Sequence, residues 1–195
     1  MNNKKPLLII IAVFIALMVG ATVLYNNLGT TMVPEQLATQ PPQATEAPAA
    51  SDETQPELQK VPDFTVYDLE GNSVNLYDYL GKPIVLNFWA SWCGPCKSEM
   101  PEFNEIYLEL GEEVQFLMVN MTDGARETVS IASEFITKQE YDFPVFYDTD
   151  QDAAITYGVY SLPTTMLIDK DGYLVAYAAG AISGDALLQG IDMIR

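Results

Sequence analysis

The apolar residues of this chain fall into three patterns along its length. The first is a charge-free run over residues 7–25, preceded by Lys4 and Lys5. A helix of about 20 apolar residues crosses a bilayer, so this run predicts a membrane-spanning segment. The second stretch, residues 26–60, has almost no periodicity. It holds Pro34, Pro41, Pro42, Pro48 and Pro56, is rich in Gln, Thr and Ala, and contains no aromatic residue. Such a segment lacks the apolar surface to order itself and reads as an extended linker spanning roughly 30 Å or more. The third pattern, over residues 61–195, alternates strand-like and helix-like periods and has the size of one domain.

Within that domain, Phe64-Thr65-Val66-Tyr67 and Val74-Asn75-Leu76 flank the turn Glu70-Gly71-Asn72 and predict a hairpin. Residues 84–90 are apolar but for Asn87, the pattern of a strand buried on both faces. Met100, Phe103, Ile106, Tyr107 and Leu110 then recur at helical spacing, with Pro101 expected to kink the helix. Residues 114–119 predict a second central strand, and residues 126–139 a helix presenting Val129, Ile131, Phe135 and Ile136. A short strand at 145–147 and a short helix at 153–157 follow. Residues 164–168 and 173–178 pair as a hairpin across Asp169-Lys170-Asp171-Gly172, and a closing helix occupies 184–194. This order predicts an α/β sandwich: a central mixed sheet flanked by helices, with an N-terminal β-hairpin and an inserted helix.

Charge sets the topology. Lys4 and Lys5 would remain cytoplasmic, and no further basic residue follows until Lys60, so the domain is expected outside the cytoplasm on a single-pass anchor. Val19-Gly20-Ala21 also offers the small residues a signal peptidase accepts, and cleavage near Ala21 would give a secreted protein. Val23 and Leu24 continue the apolar run past that point, which favours the uncleaved anchor. The domain itself carries 22 acidic and 6 basic residues, which argues against nucleic acid as a partner and is otherwise a solubility feature.

The candidate chemistry is concentrated in one place. Cys93 and Cys96 are the only cysteines, and they directly follow the predicted strand 84–90 in the sequence Trp92-Cys93-Gly94-Pro95-Cys96. A Cys-x-x-Cys pair that ends a strand and opens a helix is the pattern of a dithiol–disulfide redox site. At the helix N-terminus, unpaired backbone N–H groups and the dipole favour a Cys93 thiolate. Cys96, one turn later, is placed to attack a mixed disulfide formed on Cys93. A zinc site would need about four ligands, and the chain has no histidine and no third cysteine. A purely structural bridge would close too short a loop to restrain much unfolded-chain entropy. No metal and no cofactor beyond the Cys93–Cys96 disulfide is therefore expected. Outside the cytoplasm disulfides persist, so a lone dithiol there is either an oxidant or a reductant fed by a dedicated donor.

From Val61 onward the chain resembles the thioredoxin superfamily, and within it the extracytoplasmic, membrane-anchored thiol–disulfide oxidoreductases of the TlpA/ResA type. The resemblance rests on Pro62-Asp63-Phe64, on the run from Leu86 through Cys96, on the helix before Val145, and on Leu162-Pro163-Thr164-Thr165. It implies that Pro163 is cis and lies against the active-site disulfide, and that the backbone of Leu162 pairs with an extended substrate segment. Thioredoxins carry a buried Asp where this chain has Asn87, which cannot titrate. The extracytoplasmic relatives carry a Glu at the position of Glu99. Three residues past Cys96 on one helix, a desolvated Glu99 would have a raised pKa and would shuttle a proton to or from Cys96; the alternative is a solvated helix glutamate, as expected of Glu102, Glu105 and Glu109. Trp92 either shields the thiolate and forms, with Pro95, part of an apolar docking rim, or merely packs, whereas Trp89 reads as core. Lys97, if exposed, contributes little to the thiolate. Tyr157 and Tyr160 are given no chemical role.

Gly94-Pro95 matches the dipeptide of cytoplasmic thioredoxins, whose potential is about −270 mV, and this leans toward a reductant of protein disulfides. The resemblance further implies disulfide-containing extracytoplasmic partners, with apocytochrome c among them, and a membrane thiol carrier as electron donor. A thiol peroxidase would share Pro62-Asp63-Phe64, but Ala90-Ser91-Trp92 stand where that family cradles its peroxide. A copper chaperone would want a wider cysteine spacing and a histidine. A non-catalytic, membrane-tethered binding module is the alternative from a different class.

Overall fold

The apolar run that precedes the cysteines forms strand β3 (Ile84–Trp89), with all six residues buried. In the computed structural model, which describes residues 58–195, β3 is flanked by β4 (Gln115–Asn120), running parallel, and β6 (Thr164–Ile168), running antiparallel. The run at 7–25 and linker residues 26–57 lie outside the described residues. Among the described residues no helix is long and apolar enough to cross a membrane.

Beyond β4 lies β5 (Val145–Tyr147), parallel to it, and then the predicted N-terminal hairpin of β1 (Thr65–Tyr67) and β2 (Ser73–Asn75). Beyond β6 lies β7 (Leu174–Ala179), so the seven strands run in the order β2-β1-β5-β4-β3-β6-β7. The sheet is mixed and has a helical layer, as the order of elements predicts.

Alternation along β3 divides the core. Val85, Asn87 and Trp89 point to one face and Ile84, Leu86 and Phe88 to the other. The first face is covered by α1 (Gly94–Leu110), α2 (Val129–Gln139) and α4 (Gly184–Ile194), through Met100, Phe103, Ala132, Leu187 and Ile191. The second is covered by the hairpin, by Leu76 and by α3 (Asp152–Tyr157), with Phe64, Val66 and Ala153 in contact. Fully burying an aliphatic or aromatic side chain is worth about 1.5–3 kcal/mol, so these two layers supply the main driving force of the fold. Helix α1 continues through Pro101 to Leu110, so the proline removes one backbone donor without ending the helix.

Two boundaries differ from the sequence reading, each for a local reason. The helix predicted over 126–139 starts only at Val129. One oxygen of Asp123 accepts the N–H groups of Ala125, Arg126 and Glu127 at 2.7–2.8 Å, which wraps these residues into a turn. Thr128, in extended conformation, then caps α2 by accepting the Ile131 N–H at 3.2 Å. Thr128→Ala should therefore cost about 1 kcal/mol in urea unfolding, and an unchanged midpoint would show that the cap contributes nothing. At the other boundary, pairing begins at Gln59, inside the predicted linker. The Leu174 N–H donates to Gln59 at 2.9 Å, the Val61 N–H donates to Gly172 at 2.9 Å, and Lys60 bridges to Tyr173.

Candidate active site

From the end of β3 the chain turns through Ala90, Ser91 and Trp92 into Cys93. The turn is closed by the Cys93 N–H donating to Ala90 O at 3.1 Å. Cys93 is the N-cap of α1, at φ −76° and ψ 112°, and its sulfur accepts the Cys96 N–H at 3.2 Å. Pro95 sits in the first helical turn, where its fixed φ fits and its missing N–H is not needed. Cys93 and Cys96 form a disulfide with S–S 2.07 Å and Cα–Cα 5.3 Å. The two sulfurs are not equivalent. Cys93 keeps 4% of its surface between exposed Trp92 and Gly94, whereas Cys96 is fully buried. An incoming disulfide therefore meets Cys93 first.

The second strand neighbour brings the other predicted residues to the same end of the sheet. The Leu162–Pro163 bond is cis, and β6 starts at the next residue with Thr164 opposite Phe88 and Thr165 opposite Asn87. Pro163 O accepts the Gly180 N–H at 2.8 Å, which ties this loop to the end of β7. Pro163 is buried and Leu162 half-buried.

Glu99 is one turn beyond Cys96 and only 2% exposed. One carboxylate oxygen accepts from Asn87 Nδ2 at 2.9 Å, and the other accepts the Ile182 N–H at 3.0 Å. Burial raises its pKa from the ordinary 4.5 to about 7, against the opposing pull of those two hydrogen bonds. Asn87 also donates to Thr165 Oγ1 at 3.0 Å, while its own Oδ1 is buried without a partner. The residue that cannot titrate thus holds the one that can. Desolvation outweighs two donors, and the result is an acid poised near neutrality one helical turn beyond the buried sulfur.

The remaining candidates separate clearly. Trp89 is fully buried, as expected of core, and its Nε1 has no partner. Trp92 is 41% exposed, with the Arg126 guanidinium 3.8 Å above its ring, so it is a surface residue that also packs against Arg126. Lys97 is exposed. Glu105 and Glu109 are solvated, but Glu102 is not merely so, because its carboxylate accepts the Gly184 N–H and links α1 to the start of α4. Tyr157 donates to Pro62 O at 2.8 Å and packs on Phe64, a structural contact. Among the described residues no group of His, Cys, Asp or Glu is placed to hold a metal.

One residue escaped the sequence reading. Glu127, assigned there to a helix, is fully buried, and its carboxylate accepts from the Ser91 N–H, Ser91 Oγ and Asn120 Nδ2, each at 2.7 Å. The available signals were Asp123-Gly124, a turn pair, and Thr128 standing before the apolar run as an N-cap.

Comparison with known proteins gives a consistent picture. A sequence profile of the AhpC/TSA family matches residues 58–177. Thiol-disulfide oxidoreductase ResA of Bacillus thuringiensis subsp. konkukian is 40% identical over 136 residues, covering 69% of this chain and 76% of the relative. Among solved structures, a DsbF homologue from Corynebacterium diphtheriae superposes with TM-score 0.63 at 27% identity, covering 76% of this chain and 96% of its own. The exposed lipoprotein thioredoxin Etrx1 of Streptococcus pneumoniae superposes with TM-score 0.57 at 35% identity, covering 67% and 98%.

Proposed function

This chain belongs to the AhpC/TSA family and is a thiol–disulfide oxidoreductase of the ResA type, and from that premise we propose that it reduces disulfides of extracytoplasmic proteins while anchored through residues 7–25. The observation that carries the reading is the pairing of a slightly exposed Cys93 at a helix N-terminus with a fully buried Cys96 one turn before the buried Glu99, whose burial raises its pKa to about 7. The Gly94-Pro95 dipeptide supports the direction of electron flow.

The reaction balances within these residues. The Cys93 thiolate attacks one sulfur of an exposed substrate disulfide, and the departing substrate thiolate takes a proton from solvent. The Cys96 thiol gives its proton to Glu99, and the new thiolate attacks Cys93. This breaks the mixed disulfide, releases the second substrate thiolate and leaves Cys93–Cys96 oxidised, with two electrons passed to the substrate. Trp92 and Pro95 form the apolar rim, and the backbone at Leu162 and Pro163 receives the extended substrate segment. A membrane thiol carrier resets the pair. Apocytochrome c, whose haem-attachment cysteines must be reduced, is one substrate of this class.

Substrate trapping tests the proposal. Full-length Cys96→Ser in its native membrane should hold partners on Cys93 as mixed disulfides released by dithiothreitol. A preparation with free, alkylatable Cys93 and no dithiothreitol-sensitive adduct would overturn it.

A further inference from the structure

The reaction above makes no use of Glu127, although it is the most deeply buried acid near the dithiol. We propose that Glu127 is a positioning residue for the dithiol centre: its carboxylate clamps Ser91 and so fixes the path by which the chain enters Cys93.

A buried carboxylate is costly unless its oxygens are met by donors. Glu127 meets three, all at 2.7 Å, and two of them belong to Ser91. The dependence is mutual. Strand β3 ends at Trp89, and the Ser91 N–H is satisfied by Glu127 instead of a neighbouring strand. Asn120, the third donor's residue, is itself fixed, since its Oδ1 accepts from Thr122 Oγ1 at 2.8 Å.

The same loop holds the residues on either side of Ser91. The Met121 N–H donates to Trp89 O at 2.9 Å, and Arg126 covers the Trp92 ring at 3.8 Å. The loop is internally bonded, gathered by Asp123 at one end and closed by the Gly124 N–H donating to Glu127 O at 3.0 Å. Positions 89, 91 and 92 are thus each gripped by residues 121–127. Immediately downstream, the Cys93 N–H closes the turn on Ala90, and the Cys93 sulfur receives the Cys96 N–H. Loosening Ser91 therefore relaxes the turn that brings the reacting sulfur under the helix N-terminus, and with it the group that favours the thiolate.

This inference rests on thiol–disulfide chemistry at Cys93 and is independent of which way electrons flow. The test compares full-length Glu127→Ala, Glu127→Gln and Ser91→Ala. Cys93 is read by iodoacetamide alkylation against pH in a Cys96→Ser background, and insulin-disulfide reduction is measured with both cysteines present. Arg126 over the Trp92 ring, and Lys97 and Glu99 on the helix of the dithiol, are unchanged throughout. Glu127→Ala should raise the alkylation midpoint by about one pH unit and lower kcat/KM about tenfold. Ser91→Ala, which loses one of the two Ser91 contacts, should shift the midpoint the same way by about half a unit. Glu127→Gln can accept from the Ser91 N–H and Asn120 and donate to Ser91 Oγ, so it should stay within about threefold of the parent.

A folded Glu127→Ala protein with an unshifted midpoint and undiminished kcat/KM overturns the proposal. So does a Glu127→Gln protein as impaired as Glu127→Ala, which would assign the effect to charge. Should Glu127→Ala fail to fold, an unshifted Ser91→Ala profile overturns it equally. Failure of the reductant reading would look different, as a normal Cys93 profile without trapped partners.

Discussion

Cys93→Ser should abolish reduction of a protein disulfide, lowering kcat/KM by about three orders of magnitude or more. The expectation follows from the inequality of the two sulfurs. Cys93 opens to the rim between Trp92 and Gly94 and stands at the N-terminus of α1, whereas Cys96 is fully buried. A serine hydroxyl at position 93 would receive the same N–H, but it ionises far too weakly to attack and cannot form a disulfide. Cys96→Ser should behave differently. Its Cys93 still attacks, so a single substrate equivalent is captured and turnover stops. Insulin reduction by the full-length protein, with thermal unfolding of each variant as a control, separates the two. Residual turnover in a folded Cys93→Ser protein would assign the first attack to Cys96 and contradict the burial.

Glu99→Gln should remove a pH dependence from both stability and rate. Between pH 4.5 and about 7 the folded protein holds a proton on Glu99 that the unfolded chain has released. Stability therefore falls as pH rises through that window and levels off above about 7. The full difference is on the order of 3 kcal/mol. Glutamine cannot titrate, so urea unfolding of the variant should lose this slope. Its absolute stability is a poorer readout, because an amide nitrogen would face either the Ile182 N–H or Asn87 Nδ2, and one hydrogen bond is lost whichever way it turns. The rate of mixed-disulfide resolution should likewise show an inflection near neutral pH in the parent and none in the variant. Parallel slopes in the two proteins would remove Glu99 from proton transfer.

Much of this site could be read before the structure. The run 84–90 marked β3, the spacing of Cys93 and Cys96 marked the redox centre, and α4 occupies the residues predicted for it. Glu99 was legible only through resemblance. Its burial depends on Ile182 and Asn87 arriving from distant parts of the chain, which no local pattern encodes. Glu127 was missed because the apolar period of α2 extrapolates backward through it. What ends the helix is a side chain, Asp123, competing for three backbone donors. The contact of Glu102 with the start of α4 was hidden for the same reason as the burial of Glu99, being tertiary. Gln59 and Lys60 look like the linker before them, and only pairing with Tyr173 and Leu174 gives them structure.

That last pairing has a spatial consequence. Thr164 lies beside Phe88 and Ile168 beside Ile84, so the turn from Asp169 to Gly172 is at the opposite end of the sheet from Cys93. Gln59, Lys60 and Val61 join the sheet at this far end. The length of β3 alone sets roughly 20 Å between the two poles. The chain therefore enters the described domain at the pole opposite its reactive sulfur, and the strand that carries the sequence to Cys93 runs from the entry end toward the reacting end.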